Sequence, residues 1–183
     1  MGNRIYTQKW KGTCVKEGER GAFFAASVPG NIQLDYAKAH DFGDVNWADT
    51  CLRFQALEDY GWIYQTELEY TKKDGERVFF VSHGIEYEYD VLLNNKKILH
   101  HIGMFSEVEA DITDELENGN LLEVYIYPHP KREGAEVREQ ADQCCKPAVQ
   151  YDWDWHPRLL VSGIWEDTYI EIRNAGSIVR CDA

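Results

Sequence analysis

Basic side chains are scarce in this sequence. Its 183 residues include 19 lysines and arginines against 32 aspartates and glutamates, and the formal net charge at pH 7 is −13. Nucleic acids and anionic membranes are bound by proteins that present a basic face. We therefore expect neither a nucleic acid nor a membrane as partner, and the charge fits a neutral or cationic ligand.

Long apolar runs are also missing. No segment approaches the roughly 20 apolar residues with which a helix crosses a bilayer. Residues 1–12 are polar and lack the apolar core of a secretory signal. These features predict a cytoplasmic protein, and a chain from which a leader had been trimmed would look the same.

The cysteines do not follow the patterns of disulfide-rich or zinc-binding domains. Their number is odd and no two are spaced as C-x-x-C, so we expect a reducing compartment, no metal site and no cofactor. The two adjacent ones are predicted to be ordinary buried or loop thiols. The five are Cys14, Cys51, Cys144, Cys145 and Cys181.

Familiar catalytic motifs are absent as well. No Walker loop, G-x-S-x-G or H-x-x-x-H occurs. His100 and His101 are neighbours and would point to opposite faces of a strand, so they cannot share a metal. His83, His129 and His156 are expected to be surface or loop histidines. We identify no catalytic residue and no metal ligand in this sequence.

Alternation of apolar and polar residues with the period of a β-strand is abundant. It begins at Trp62 to Tyr70 and recurs as far as residue 127, with turns such as Asn94-Asn95 between the runs. A short helix is predicted over Asn31 to His40, and Leu52 to Leu57 can form a further helical turn. The pattern predicts one all-β domain over residues 1–183, an antiparallel β-sandwich of the jelly-roll type with one or two short helices.

Three finer expectations follow from the same pattern. Asp74-Gly75 stands between two alternating runs and predicts a hairpin. Residues 1–21 are expected to be an extended lead-in around Trp10. The acids that alternate with core residues are expected to line a solvated sheet face; they are Glu67, Glu69, Glu86, Glu88 and Asp90.

Residues 146–162, which we call the tryptophan loop, combine aromatic and acidic groups. Trp153 and Trp155 flank Asp154. An indole face can stack on the C–H face of a sugar ring, and a carboxylate accepts paired hydrogen bonds from neighbouring hydroxyls. These three residues are the predicted sugar-binding site. The alternative is that the indoles are core anchors, which is the more frequent role of a single tryptophan, but an acid between two of them is costly to bury.

Six short motifs follow one another along the chain. They are Val28-Pro29-Gly30, Asp59-Tyr60-Gly61-Trp62, Gly84-Ile85-Glu86 with Val91-Leu92-Leu93-Asn94, Gly103-Met104-Phe105, Asp111-Ile112-Thr113 with Gly119-Asn120-Leu121, and Trp153-Asp154-Trp155-His156-Pro157-Arg158 with Gly163-Ile164-Trp165. This series resembles the N-terminal domain of glycoside hydrolase family 2, most closely its β-mannosidase branch.

The resemblance implies a jelly roll of the galactose-binding-domain type. In the family it precedes an immunoglobulin-like domain and a (β/α)₈ barrel that carries both catalytic glutamates. The parent enzyme would hydrolyse terminal non-reducing β-D-mannose residues, whereas this chain alone would not. By the same resemblance, Asp154 hydrogen-bonds hydroxyls of the terminal sugar and Trp153 forms pocket wall. The implied partners are a terminal β-linked carbohydrate and the remaining domains of the parent.

The tryptophan loop and one other motif depart from the family pattern. Asp152 and His156 stand where the family has glycines, and Gly103 stands where it has asparagine. Three other functions stay open from the sequence. The chain could be a free-standing carbohydrate-binding module or lectin, the first domain of a β-galactosidase or β-glucuronidase, or a structural sandwich that mediates assembly.

Overall fold

The computed structural model describes residues 3–7 and 9–174, which form two antiparallel sheets, a two-stranded ribbon and two helices. The strands in this part of the chain are β1 Asn3–Ile5, β2 Trp10–Lys16, β3 Glu19–Arg20, β4 Phe24–Ala26, β5 Gly61–Leu68, β6 Glu76–Ser82, β7 Ile85–Glu86, β8 Glu88–Leu93, β9 Lys96–Ile102, β10 Val108–Asp111, β11 Asn120–Ile126, β12 Gly163–Ile164 and β13 Thr168–Asn174.

Each sheet is assembled from strands that are distant in sequence. The smaller has the order β1-β13-β6-β10, and the larger has the order β3-β2-β5-β11-β8-β9, with β4 also paired to β2. The ribbon joins β7 to β12, and all of these pairs are antiparallel. This arrangement confirms the predicted all-β, antiparallel β-sandwich.

The core contains the apolar positions of the alternating strands. Trp62, Tyr64 and Leu68 of the larger sheet belong to one buried cluster with Val78 and Phe80 of the smaller sheet. Burying a large apolar side chain contributes about 1.5–3 kcal/mol relative to leaving it in water. These side chains therefore stabilise the packing of the two sheets against each other.

Two short helices accompany the sheets. The first, α1, covers Ile32–Ala39, and the Oδ1 atom of Asn31 accepts the backbone N–H groups of Gln33 and Leu34 at 2.9 and 3.2 Å. This cap satisfies two of the helix's free donors, as the sequence predicted. The second, α2, covers Cys51–Gln55. Neither described helix has the length and apolarity that crossing a membrane requires.

The turn at Asp74 and Gly75 does not connect a hairpin, so that prediction was wrong. The strand before it, β5, pairs with β2 and β11, whereas the strand after it, β6, pairs with β10 and β13. The turn therefore carries the chain from one sheet to the other. A turn motif reports only local chain reversal, whereas strand partners depend on which faces can be buried together.

The N-terminal segment is more than a lead-in. Strand β2 pairs with β5 along residues 11–15 and forms a hairpin with β3. Trp10 is buried in the main core. The larger sheet thus includes residues for which the sequence predicted only an extended lead-in.

Two of the acids expected on a solvated face are buried, and that expectation was wrong for Glu86 and Asp90. Asp90 accepts hydrogen bonds from His100 Nδ1 at 2.7 Å and from the Tyr127 hydroxyl at 2.8 Å, and Lys97 Nζ lies 2.6 Å away. Burial raises the pKa of Asp90, but these hydrogen bonds outweigh it and lower the pKa below its usual value. Strand alternation alone does not show that such partners are present.

Candidate functional site

The tip of the tryptophan loop is a tight turn. The Trp153 N–H donates to the carbonyl of His156 at 3.1 Å, and the His156 N–H donates to the carbonyl of Trp153 at 3.2 Å. This isolated bridge places Asp154 and Trp155 at the two central positions. Both are exposed, and Trp155 has 76% of its surface accessible. Trp155 is therefore not a core anchor, and this excludes the alternative in which both indoles anchor the core.

The two indoles of the turn lie against each other. Their ring centroids are 5.3 Å apart and the rings are tilted by 58°. The guanidinium of Arg138 lies 4.1 Å from the centroid of Trp153, so one face of this indole is already in contact with a cation. Trp153 is accordingly half-buried, whereas Trp155 projects into solvent.

Asp154 is available to a ligand. Within residues 3–7 and 9–174, no hydrogen bond or ion pair engages its carboxylate. An exposed carboxylate can accept two hydrogen bonds from adjacent hydroxyls, and bonds to a charged acceptor are stronger than neutral ones. The three predicted site residues are consecutive in sequence, and the turn exposes two of them, Asp154 and Trp155, while their role in binding stays a prediction.

Arg158 holds the base of the tryptophan loop. Its guanidinium makes a bidentate pair with Glu58, with both distances at 2.8 Å, and donates to Gln140 Oε1 at 2.8 Å and to the carbonyl of Tyr151 at 3.1 Å. Lys131 lies 3.1 Å from the same Glu58 carboxylate. Planar, bidentate pairing of this kind fixes direction as well as distance.

A buried ion pair forms a second attachment. Lys146 donates to Glu86 and to the carbonyl of Val161, the latter at 2.9 Å, and Gln150 Nε2 donates to Glu86 at 3.0 Å. Burial lowers the pKa of Lys146, and the neighbouring Glu86 opposes this shift. The sequence analysis missed this pair because the two residues are 60 positions apart and no local pattern connects them.

His129 was expected at the surface or in a loop; it lies in the loop that follows β11, but it is buried and not at the surface. Its Nε2 atom is 3.4 Å from Ser162 Oγ and 3.5 Å from Gln33 Nε2. Burial, together with the nearby cations Lys146, Lys131 and Arg158, holds the pKa of His129 well below its usual value. The ring is therefore neutral and acts as a hydrogen-bonding filler between α1 and the tryptophan loop.

The departures from the family pattern have different structural consequences. Asp152 has φ = 118°, a backbone conformation that favours glycine. His156 is not among the residues with positive φ, and its buried Nδ1 has no hydrogen-bond partner in the described part of the chain. Gly103 has φ = 128°. Of these two positions at which the family has glycine, only Asp152 has a backbone conformation that favours glycine.

The cysteines agree with the expectation of free thiols as far as they are described. Cys14, Cys51, Cys144 and Cys145 are unpaired, and Cys181 lies outside the described residues. No cluster of metal-ligating side chains occurs within residues 3–7 and 9–174.

Comparison with known proteins places this fold in a family. The model of the glycosyl hydrolase 2 galactose-binding domain-like family matches residues 10–166. Beta-mannosidase B of Emericella nidulans is 25% identical over 135 residues, which cover 65% of this chain and 16% of that protein. The same enzyme of Aspergillus clavatus is 23% identical over 165 residues, or 81% of this chain and 19% of that protein. The chain thus spans less than a fifth of the length of these curated relatives.

Solved structures show the same relationship. A β-D-mannosidase from Dictyoglomus thermophilum superposes with a TM-score of 0.76 and 25% identity, covering 95% of this chain and 22% of that chain. A β-glucuronidase from Faecalibacterium prausnitzii shares the fold with a TM-score of 0.58 and 17% identity, covering 94% of this chain and 32% of that chain. With its match over residues 10–166, the chain belongs to the glycosyl hydrolase 2 galactose-binding domain-like family.

Proposed function

We propose that this chain is the non-catalytic N-terminal domain of a larger family 2 β-glycosidase, with a β-mannosidase as the first candidate. Its tryptophan loop would complete the pocket for the terminal sugar of the substrate. The observation that carries this proposal is the exposed carboxylate of Asp154, which has no partner in residues 3–7 and 9–174 and lies between two indoles. The small share of each relative that the chain covers supports a domain within a longer enzyme.

The loop is suited to recognition by the ion pairs that attach its base and by the groups that it exposes. Arg158 and Lys146 attach the two sides of its base to buried acids, Glu58 and Glu86. A site held in place before the ligand arrives loses less side-chain entropy on binding. Asp154 would accept hydrogen bonds from sugar hydroxyls while a neighbouring indole packs on the C–H face of the ring.

Hydrolysis is expected to need residues outside this domain. A β-glycosidase requires two carboxylates about 5–9.5 Å apart on either side of the scissile bond. We expect the purified chain to release no nitrophenol from nitrophenyl β-glycosides. Turnover that is abolished by Asp154→Ala would show that the chemistry lies in this domain and would overturn the proposal.

Sugar binding itself is tested by calorimetry with mannose, galactose and glucuronic acid. Because the loop supplies only part of a pocket, we expect weak, millimolar binding with mannose preferred, and loss of that binding in Asp154→Asn. The matched control is Asp74→Asn, which changes an exposed aspartate outside the tryptophan loop, in the turn that carries the chain from one sheet to the other. Equal loss in both variants would contradict a specific role for Asp154.

The free-standing carbohydrate-binding module is the second candidate. It is favoured by the exposure of Asp154 and Trp155 in the chain by itself. A module that acts alone should bind its sugar in the micromolar range, which the same calorimetry would detect. Millimolar or weaker binding favours a domain that shares its pocket with others.

A further inference from the structure

Arg138 is an unusual cation for this chain. Acidic residues outnumber lysines and arginines by 32 to 19, and Arg138 has Glu136 and Glu139 beside it in sequence. Nevertheless, no carboxylate lies within ion-pair distance of its guanidinium in the part of the chain that the structure describes. The side chain is exposed and rests on the indole of Trp153 instead.

This contact assigns different roles to the two indoles. The guanidinium covers one face of Trp153 at 4.1 Å from the ring centroid, and Trp155 packs against the same ring with 5.3 Å between centroids. The face of Trp153 is thus shared between protein groups, whereas Trp155 is 76% exposed. Trp155 is therefore the indole whose face is open for contact with a sugar ring.

We propose that Arg138 is a further sugar-binding residue, held in position by Trp153, and that Trp155 rather than Trp153 is the stacking platform. This inference rests on the proposed function of the tryptophan loop. The guanidinium supplies five N–H donors and the Asp154 carboxylate supplies only acceptors. A sugar hydroxyl both donates and accepts, so a pair of adjacent hydroxyls matches a donor in contact with Trp153 and an acceptor that follows Trp153 in the chain.

The contact with Trp153 limits where the guanidinium of Arg138 can lie, with 4.1 Å between its central carbon and the ring centroid. The guanidinium is planar and holds its N–H donors at fixed angles, and a lysine ammonium cannot reproduce this geometry. A purely structural role, in which Arg138 only shields Trp153 from water, predicts no effect on sugar binding. The two roles therefore differ in a measurable way.

The experiment is a titration of the 183-residue chain with methyl β-D-mannoside, followed by the tryptophan indole N–H signals in nitrogen–proton correlation spectra. In the wild type, we expect the Trp155 signal to shift most. Arg138→Gln and Arg138→Lys should each weaken the apparent affinity about tenfold or more, because a hydrogen bond to a charged group is lost. The thermal midpoint of both variants should stay unchanged, since the side chain is exposed.

Arg132→Gln is the matched control. Arg132 lies on the same segment and is exposed, but it is paired with Asp142 at 2.7 Å. Its substitution should leave the sugar affinity at the wild-type value. A uniform loss of affinity in Arg132→Gln and Arg138→Gln would indicate a general charge effect and would contradict the inference.

The outcomes separate the inference from the proposed function. If the wild type binds, Asp154→Asn does not, and Arg138→Gln binds like the wild type, then the role of Arg138 is overturned while the proposed function stands. A shift of Trp153 larger than that of Trp155 would overturn the assignment of the platform. If no indole signal of the wild type moves even at the highest soluble sugar concentration, the proposed sugar-binding role of the tryptophan loop is overturned, and the role of Arg138 is overturned with it.

Discussion

Asp152 has a backbone conformation that favours glycine although it carries a side chain. Its φ of 118° and ψ of 140° lie in a region that side chains with a Cβ rarely occupy. The residue comes directly before Trp153, where the chain leaves a 3₁₀ turn, Ala148–Tyr151, and enters the tip of the tryptophan loop. Strain at this position is thus stored next to the exposed groups of the site.

Replacing Asp152 by glycine should stabilise the chain. Removal of the strained conformation is expected to increase the free energy of unfolding by about 1 kcal/mol, reduced by the greater entropy of glycine in the unfolded state. Urea denaturation measures the change. Asp154→Gly is the control, because Asp154 is not among the residues with positive φ, and it should not stabilise. A loss of stability in Asp152→Gly would contradict the strain.

The same substitution at two tryptophans separates a core role from a ligand role. Trp62→Ala removes a fully buried side chain and should lower the free energy of unfolding by about 3–5 kcal/mol. Trp155→Ala removes an exposed one and should change it by less than about 0.5 kcal/mol. Chemical denaturation distinguishes them. A large destabilisation by Trp155→Ala would mean that this indole supports the fold and is not free to meet a ligand.

At the scale of elements, the ribbon of β7 and β12 and the tryptophan loop are joined by buried charges. Glu86 lies at the end of β7 and is 3% exposed, and Lys146 opens the loop with its side chain fully buried. Such a pair offsets the cost of desolvating each ion only while both partners are present. The attachment therefore fixes where the loop begins relative to the sheet.

Substituting one partner of this ion pair should lower the free energy of unfolding more than its share of substituting both. Lys146→Met or Glu86→Leu alone leaves an uncompensated buried charge and should cost about 3–5 kcal/mol. The double variant should be less destabilised than the sum of the two, with a coupling of at least about 1 kcal/mol in a double-mutant cycle. Urea denaturation of the four proteins provides the measurement. Strict additivity would show that the two charges do not depend on each other.

At the scale of the whole molecule, both sheets contain carboxylates whose ionised form is stabilised. In the larger sheet this is Asp90. In the smaller sheet, hydrogen bonds from Arg173 lower the pKa of Glu109, and bonds from Thr113 and Arg77 outweigh the opposing effect of burial to lower the pKa of Asp111. The folded state therefore holds its protons less tightly than the unfolded chain at these acids.

Stability should accordingly fall in acid. Carboxyls in an unfolded chain have pKa values of about 3.9–4.3. Where the folded pKa is lower, the contribution to stability is present above that range and is lost as the pH falls through the folded pKa. We expect the urea midpoint to decrease between about pH 5 and pH 3. Asp90→Asn should lower the midpoint at pH 7 and flatten the decrease, and an unaltered slope would contradict the assignment.

Particular residues show how much of the structure could be predicted from the sequence. The alternation from Trp62 to Tyr70 predicted strand β5, and Asn31 predicted the start of α1, because both signals are local and depend on side-chain period or capping chemistry. The indoles flanking Asp154 argued against a core position for this part of the chain, since a carboxylate between them is costly to bury. In each case the physical cause lies within a few residues of the signal.

The sequence by itself determined the alternating strand that begins at Trp62, the short helix, the net negative charge and the motif series of the family. Only the tertiary structure decided that β5 and β6 belong to different sheets, that Glu86 is buried against Lys146, and that Arg138 covers Trp153. These contacts join residues that no local period relates. Their free energy depends on which groups lose water together, and this is settled only when the sheets have packed.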